Sequence, residues 1–92
     1  MSEEEPYSVE WAASALRALE RLPEKVAPAA VELIYGALAE NPHRIGGPLR
    51  FELEGKHSAR RGDYRVVYVI DDQRRTVVIE AIAHRGDAYR RR

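Results

Sequence analysis

Two apolar segments near the C-terminus, separated by a short polar segment, constrain the fold more than any other feature. Residues 64–70 read Tyr-Arg-Val-Val-Tyr-Val-Ile, and residues 76–83 read Thr-Val-Val-Ile-Glu-Ala-Ile-Ala. Both segments are rich in the β-branched and aromatic residues that favour strands. The segment Asp71-Asp72-Gln73-Arg74 between them is too short for a parallel crossover, so it predicts an antiparallel hairpin. A short polar strand over residues 57–61, joined through Gly62-Asp63, extends the hairpin to a three-stranded meander.

The N-terminal half predicts a strand followed by two helices. Residues 7–11 alternate apolar and polar side chains, which indicates a short strand. A first amphipathic helix, which ends before Pro23, presents apolar side chains at helical spacing: Trp11, Ala15, Leu16, Leu19 and Leu22. A second helix starts near Ala27 or kinks at Pro28, and ends at Asn41-Pro42 because a residue before proline avoids the α region. Its apolar face is formed by Val26, Ala30, Leu33, Ile34, Ala37 and Leu38.

These elements predict one α+β domain over residues 1–92. Two helices separated by so few residues form an antiparallel hairpin, and their apolar faces need a sheet to pack against. Gly46-Gly47-Pro48 is expected to be a loop. The predicted order is an N-terminal strand, an antiparallel two-helix hairpin and a three-stranded antiparallel meander, which together give a four-stranded sheet.

Charge is distributed unevenly along a chain whose formal net charge is zero. Residues 1–55 carry ten acidic and five basic side chains, whereas residues 56–92 carry five acidic and ten basic side chains. Nine of those ten bases are arginine, which suits bidentate contacts to phosphate. The C-terminal half is therefore expected to face a polyanion, and the alternative is an ordinary mixed-charge surface.

Composition also argues against several classes of protein. The chain has no cysteine, so it has no disulfide, no thiolate nucleophile and no cysteine-based zinc site. No apolar run approaches the roughly 18–20 residues that cross a bilayer. The N-terminus is acidic where a signal peptide would be basic. We expect a cytoplasmic protein that contacts no membrane.

Strand alternation separates the basic residues by face. Odd-numbered residues 65–69 share one side of the central strand, and odd-numbered residues 77–83 share one side of the last strand, with Arg85 continuing that parity. Arg60, Arg65 and Arg85 are thus candidates for the sheet face that the helices leave open. Arg65 interrupts an apolar strand, where a charge is costly unless it is paired or solvated. The alternatives for Arg65 are an arginine that faces the edge of the sheet or a structural ion pair with Glu80 on the neighbouring strand.

Several motifs in these segments resemble the RelE/ParE toxin superfamily, and in particular its actinobacterial RelE-like members. Gly62-Asp63-Tyr64-Arg65-Val66-Val67-Tyr68 resembles the strand motif of that family, and His84-Arg85-Gly86-Asp87-Ala88-Tyr89-Arg90 resembles its closing motif. Leu53-Glu54-Gly55 and Ser58-Ala59-Arg60-Arg61 add to the likeness. The resemblance covers nearly the whole chain and implies a RelE-like fold.

The resemblance implies a toxin of a type II toxin–antitoxin system that cleaves messenger RNA in the decoding site of the ribosome. Such toxins use no metal and no cofactor, and basic residues with a tyrosine take the place of a carboxylate cluster. The implied partners are a RelB-like antitoxin, the ribosome and messenger RNA, with operator DNA contacted only through the antitoxin.

The resemblance also implies roles for individual residues. Arg65, Arg85 and Tyr89 are the expected catalytic residues. Both arginines stabilise phosphate, and Arg85 is also the candidate acid or charge donor. The tyrosine stacks on a base, orients the 2′-hydroxyl or helps to move a proton. The expected RNA-binding residues are Lys56, His57, Arg60, Arg61, His84 and Arg90. Ser58 stands where the family pattern has a lysine, so the proton acceptor stays open. His57 and His84 are candidates for it, or are surface histidines.

Two other functions stay open. A ParE-like toxin shares the fold but poisons DNA gyrase, and Arg65, Arg85 and Tyr89 favour the nuclease over it. A catalytically weak toxin would act mainly as a co-repressor bound to its antitoxin, and the Ser58 departure is compatible with that function.

Overall fold

The computed structural model describes residues 5–48 and 55–84, which form a five-stranded sheet with helices on one face. The strands are β1 (Ser8–Trp11), β2 (Gly47–Pro48), β3 (Lys56–Arg61), β4 (Tyr64–Asp71) and β5 (Thr76–His84). The helices are α1 (Ala13–Arg21), α2 (Val26–Leu33) and α3 (Pro42–Ile45), and a π-helical turn, Ile34–Leu38, continues α2. The α+β class, the helical hairpin and the antiparallel meander are confirmed.

The strand order across the sheet is β1-β5-β4-β3-β2. Strand β1 pairs in parallel with β5, which places the first strand beside the last, and the other pairs are antiparallel. The predicted count of four strands is wrong by one. Gly47-Pro48 is not a loop, because it pairs with His57 and Ser58 as a short edge strand. Proline is tolerated there because an edge strand leaves some N–H groups outside the ladder.

Alternation in β4 supplies the core of the sheet. Tyr64, Val66 and Tyr68 are buried beneath the helices, while Arg65 between them is exposed. Ala15, Ala18 and Leu22 of the α1 segment and Ala30, Leu33, Ile34 and Leu38 of the α2 segment cover this face. The small alanines let the helices approach the sheet closely.

The predicted apolar face of α1 is partly wrong. Leu16 is 45% exposed, and the buried positions on α1 are Ala15 and Ala18. The helix does end before Pro23, as expected. The start of α2 at Val26 places Pro28 in its first turn, where proline's missing N–H has no intrahelical partner to lose. Asn41 ends the second helix, and Pro42 begins α3, a short helix that the sequence did not predict.

A β-bulge interrupts the pairing of β4 with β5. Tyr68 lies opposite Ile79 and Val67 opposite Ala81, so Glu80 is the extra residue. The prediction that all odd-numbered residues from 77 to 83 share one side is therefore wrong. Val77 and Ile79 face the helices, but after the bulge Ala81 and Ala83 face the other side. The Ser14 hydroxyl donates to the Glu80 carbonyl at 3.2 Å, which anchors the bulged backbone to α1.

No helix within residues 5–48 and 55–84 is long and apolar enough to cross a membrane.

Two tyrosines of β4 provide a matched test of this core. The Tyr68 hydroxyl donates to the Pro42 carbonyl at 2.7 Å, whereas the buried Tyr64 hydroxyl has no hydrogen-bond partner in the part of the chain that is described. We expect Tyr68→Phe to lower the free energy of unfolding by about 1–2 kcal/mol, because it leaves a buried carbonyl unpaired. Tyr64→Phe should be neutral or stabilising. Urea denaturation of both variants checks this, and equal losses would contradict it.

Candidate functional site

The sheet face opposite the helices, here called the open face, carries three neighbouring rows of side chains on β3, β4 and β5. The outer row pairs Arg60 with Arg65, and Arg65 with Ala83. The next row pairs Ser58 with Val67, and Val67 with Ala81. The third pairs Lys56 with Val69, and Val69 with Val78. The middle row has only small side chains, so it forms a low floor between charged groups on either side.

Arg60 and Arg65 lie directly opposite each other on adjacent strands, and both are exposed. Like charges in that position repel each other and destabilise a strand pair. Neither arginine has an ion-pair partner among residues 5–48 and 55–84. This arrangement attracts a bound anion, because one phosphate between two guanidinium groups removes the repulsion and accepts charge-assisted hydrogen bonds.

An ion pair between Arg65 and Glu80 was one alternative that the sequence left open, and the structure does not contain it. The Oε1 atom of Glu80 lies 2.6 Å from Nζ of Lys56, with the two side chains 33% and 37% exposed. The ion pair reaches across β4, because Lys56 belongs to β3 and Glu80 to β5. The structure thus places Lys56, a predicted RNA-binding residue, on the open face, but in a pair whose net charge is zero.

The other predicted RNA-binding residues of β3 and β5 point elsewhere. His57 lies opposite Tyr68, whereas Arg61 and His84 both lie opposite Tyr64. Because Tyr64 and Tyr68 face the helices, these three residues belong to the helix-covered side of the sheet. The predicted set is therefore divided between two faces. Arg85, Tyr89 and Arg90 lie outside the described residues, and their roles stay predictions.

His57 packs between aromatic rings on that side of the sheet, with His43 at its edge. Its ring stacks on Tyr68 with centroids 5.7 Å apart, and its buried Nδ1 has no hydrogen-bond partner in the described ranges. Burial lowers the pKa of His57, and the nearby His43 lowers it further, while Asp72 opposes the shift. An imidazole on the helix-covered side of the sheet cannot reach a phosphate bound on the open face.

A polar cluster at the opposite end of the sheet joins three segments of the chain: Tyr7 before β1, His43 of α3, and the turn between β4 and β5. The Asp72 carboxylate accepts a hydrogen bond from the Tyr7 hydroxyl at 2.6 Å and lies 2.9 Å from Nε2 of His43. These two hydrogen bonds hold the pKa of Asp72 below its usual value. Arg75 lies over the Tyr7 ring at 4.3 Å. Sequence reasoning missed the cluster, because its members are far apart in the chain and form no motif.

No group of three or more histidine, cysteine, aspartate or glutamate side chains could hold a metal ion within the described ranges.

Comparison with known proteins identifies the family. A family model described as the ParE toxin of the type II toxin–antitoxin system parDE matches residues 9–89. The chain is 59% identical over 98% of its length to Toxin RelE of Mycobacterium tuberculosis, of which it covers 93%. It is 50% identical over 94% of its length to Toxin RelG of the same organism, of which it covers 99%. The chain belongs to the RelE/ParE superfamily of toxins of type II toxin–antitoxin systems.

Solved structures agree with that assignment. The crystal structure of the RelBE2 toxin–antitoxin complex from Mycobacterium tuberculosis matches with a TM-score of 0.85 and 49% identity, over 89% of this chain and 94% of that chain. The isolated Escherichia coli RelE toxin matches with a TM-score of 0.69 at 18% identity, over 85% of this chain and 83% of that chain. At that identity the second likeness shows the shared fold.

The lowered pKa of His57 predicts a pH-dependent stability. In the unfolded chain this histidine takes up a proton near its ordinary pKa of 6.5, whereas in the folded chain it resists protonation. The stabilisation is therefore complete above the unfolded pKa and is lost as the pH falls through it towards the lower folded pKa. Urea midpoints measured from about pH 8 to pH 5.5 should decrease for the wild type, and less for His57→Phe, which keeps a ring on Tyr68. Identical pH profiles would contradict this assignment.

Proposed function

We propose that this protein is a metal-independent endoribonuclease that cleaves messenger RNA in the decoding site of the ribosome and is inhibited by a bound antitoxin. One observation carries the proposal: Arg60 and Arg65 lie opposite each other, exposed and without a described anionic partner, on the open face of a fold that belongs to a toxin family. An RNA phosphate bound between the two guanidinium groups would remove their mutual repulsion, which accounts for two like charges in this position.

The chemistry that these groups support is transesterification of RNA. The 2′-hydroxyl attacks the adjacent phosphorus, the bond to the 5′-oxygen breaks, and negative charge develops on the phosphorane. Arg60 and Arg65 stabilise that charge from the outer row, with less reorganisation than water would need. Arg85, predicted from the sequence, adds a third cation or the acid for the leaving oxygen, and Tyr89 orients the nucleotide. The metal-independent part of the proposal rests on the resemblance to the family.

A RelB-like antitoxin is the proposed inhibitory partner. The matched RelBE2 structure is a toxin–antitoxin complex, and the chain reproduces its toxin fold at 49% identity. The basic open face and the apolar helix surfaces, where Leu16 and Tyr35 are exposed, provide two chemically different surfaces for such a partner. Operator DNA is contacted through the antitoxin, and the site of action is the cytoplasm.

Induced expression in a bacterial host tests the proposed function. Wild-type protein should stop amino-acid incorporation and produce new 5′ ends in abundant messages only where those messages are translated. Arg65→Ala should lower cleavage by about 100-fold or more, because it removes a preorganised cation from the transition state. Arg17→Ala is the matched control, since Arg17 is exposed on α1, away from the open face. Arg85→Ala tests the predicted second arginine in the same assay.

The possible outcomes separate the candidate functions. Messages that stay intact while DNA supercoiling stops would replace this proposal with a gyrase poison. Normal growth with intact messages would indicate a weak toxin that acts as a co-repressor. Full toxicity of Arg65→Ala, at wild-type protein levels, would refute the assigned phosphate site while leaving the nuclease itself in place.

A further inference from the structure

The proton acceptor of the proposed reaction has no assigned residue. Ser58 occupies the position where the family pattern has a lysine, and the hydroxyl of a serine is a weak base. Both histidines considered from the sequence, His57 and His84, lie on the helix-covered side by strand register. A base that serves a phosphate bound by Arg65 must instead lie on the open face.

Glu80 is the one carboxylate beside the small-residue floor among residues 5–48 and 55–84. The other described carboxylates on this face, Glu10 and Asp71, lie towards the far end of the sheet and both contact Arg74. Ile79 is buried beneath the helices, so alternation directs the next side chain, Glu80, to the open face, where it reaches Lys56. The bulge then keeps Ala81 on the open face as well, opposite Val67.

The separation between the three rows suits a bound nucleotide, with its phosphate at one charged row and its ribose towards the other. Residues two apart on a strand are separated by about 7 Å, so the floor of Ser58, Val67 and Ala81 lies about that far from each charged row. A phosphate above the floor is within reach of Arg60 and Arg65 from one side. The ribose that precedes it then faces the Lys56–Glu80 pair on the other side. The low side chains of the floor leave room for the backbone of the RNA.

We propose that Glu80 is the general base that removes the 2′-hydroxyl proton, and that Lys56 acts with it. This inference rests on the proposed ribonuclease function. The proton of the 2′-hydroxyl passes to a carboxylate oxygen of Glu80 as the 2′-oxygen bonds to phosphorus. The phosphorus–5′-oxygen bond then breaks, and the 5′-oxygen receives a proton from the general acid predicted at Arg85. The products are a 2′,3′-cyclic phosphate and a 5′-hydroxyl, and no electrons are exchanged with another reactant.

The ion pair gives this step an electrostatic advantage. Before reaction, Lys56 and Glu80 together carry no net charge, so they neither attract nor repel the substrate strongly. When Glu80 takes the proton, the carboxylate becomes neutral and the Lys56 ammonium has no counter-charge. A positive charge therefore develops beside the phosphorane as the phosphorane gains negative charge. Interactions that strengthen only in the transition state raise the rate of the chemical step.

Variants of Glu80 in a single-turnover assay test the assignment. Purified toxin is mixed in excess with ribosomes that carry a defined message, and both the cleavage rate at saturation and the affinity for the programmed ribosome are measured. Glu80→Gln should lower the saturated rate by about 100-fold or more and change the affinity by less than about threefold. Glu80→Ala should lose at least as much. Glu10→Gln, which removes a carboxylate ion-paired to Arg74 on the same face, should cleave like the wild type.

Each other outcome overturns the inference in a recognisable way. A Glu80→Gln protein that cleaves at the wild-type rate removes Glu80 from the reaction. Activity retained in Glu80→Gln but lost in Glu80→Ala means that Glu80 only positions Lys56. Faster cleavage by both variants means that Glu80 restrains Lys56. A wild-type protein that cleaves no programmed message refutes the proposed function itself. Thermal melting of each variant confirms that the compared proteins are folded.

Discussion

The alternation of β4 is the constraint on which the rest of the structure depends. Tyr64, Val66 and Tyr68 point into the helices, and this burial fixes the register of the strand, since a slip by one residue would bury Arg65. The same alternation places Arg65 on the open face beside Arg60. The core and the candidate site are therefore two sides of one strand. Burial of the apolar side chains of β4 offsets the repulsion between the two arginines. The weak stabilisation that a surface ion pair provides would not be enough to do so.

The bulge in β5 is the second feature that shapes the open face. A regular ladder would keep one parity from residue 77 to residue 83, whereas Glu80 is inserted opposite the step between Val67 and Tyr68. The helical layer stabilises this irregularity, because the Ser14 hydroxyl of α1 donates to the Glu80 carbonyl. Bulges commonly re-aim side chains next to active sites. Here alternation after the buried Ile79 directs Glu80 to the open face, and the bulge adds the small side chain of Ala81 to the same face.

Much of the fold was predictable because its signals are local. The hairpin over residues 64–83 and both long helices were identified from periodicity and turn residues, and the family from the motifs around Tyr64 and His84. The fifth strand was missed, because Gly47-Pro48 reads as a loop and becomes a strand only by pairing with β3. Alternation within β3 separates His57 from Arg60, but which of the two faces the helices follows from register, which sequence spacing does not determine. The sequence indicated Glu80 as a possible partner of Arg65, but which base Glu80 pairs with depends on strand register, and the structure pairs it with Lys56.

Binding of the RNA backbone to the open face of the sheet is the central claim. The most direct measurement is the structure of this protein on a ribosome whose decoding site holds a message with a 2′-O-methyl group at the cleavage position, which blocks the reaction. We expect a phosphate between Arg60 and Arg65 above the Ser58–Val67–Ala81 floor, with the modified ribose towards Glu80. A complex in which the message contacts the helix-covered side, or in which no phosphate lies near the two arginines, would contradict the claim.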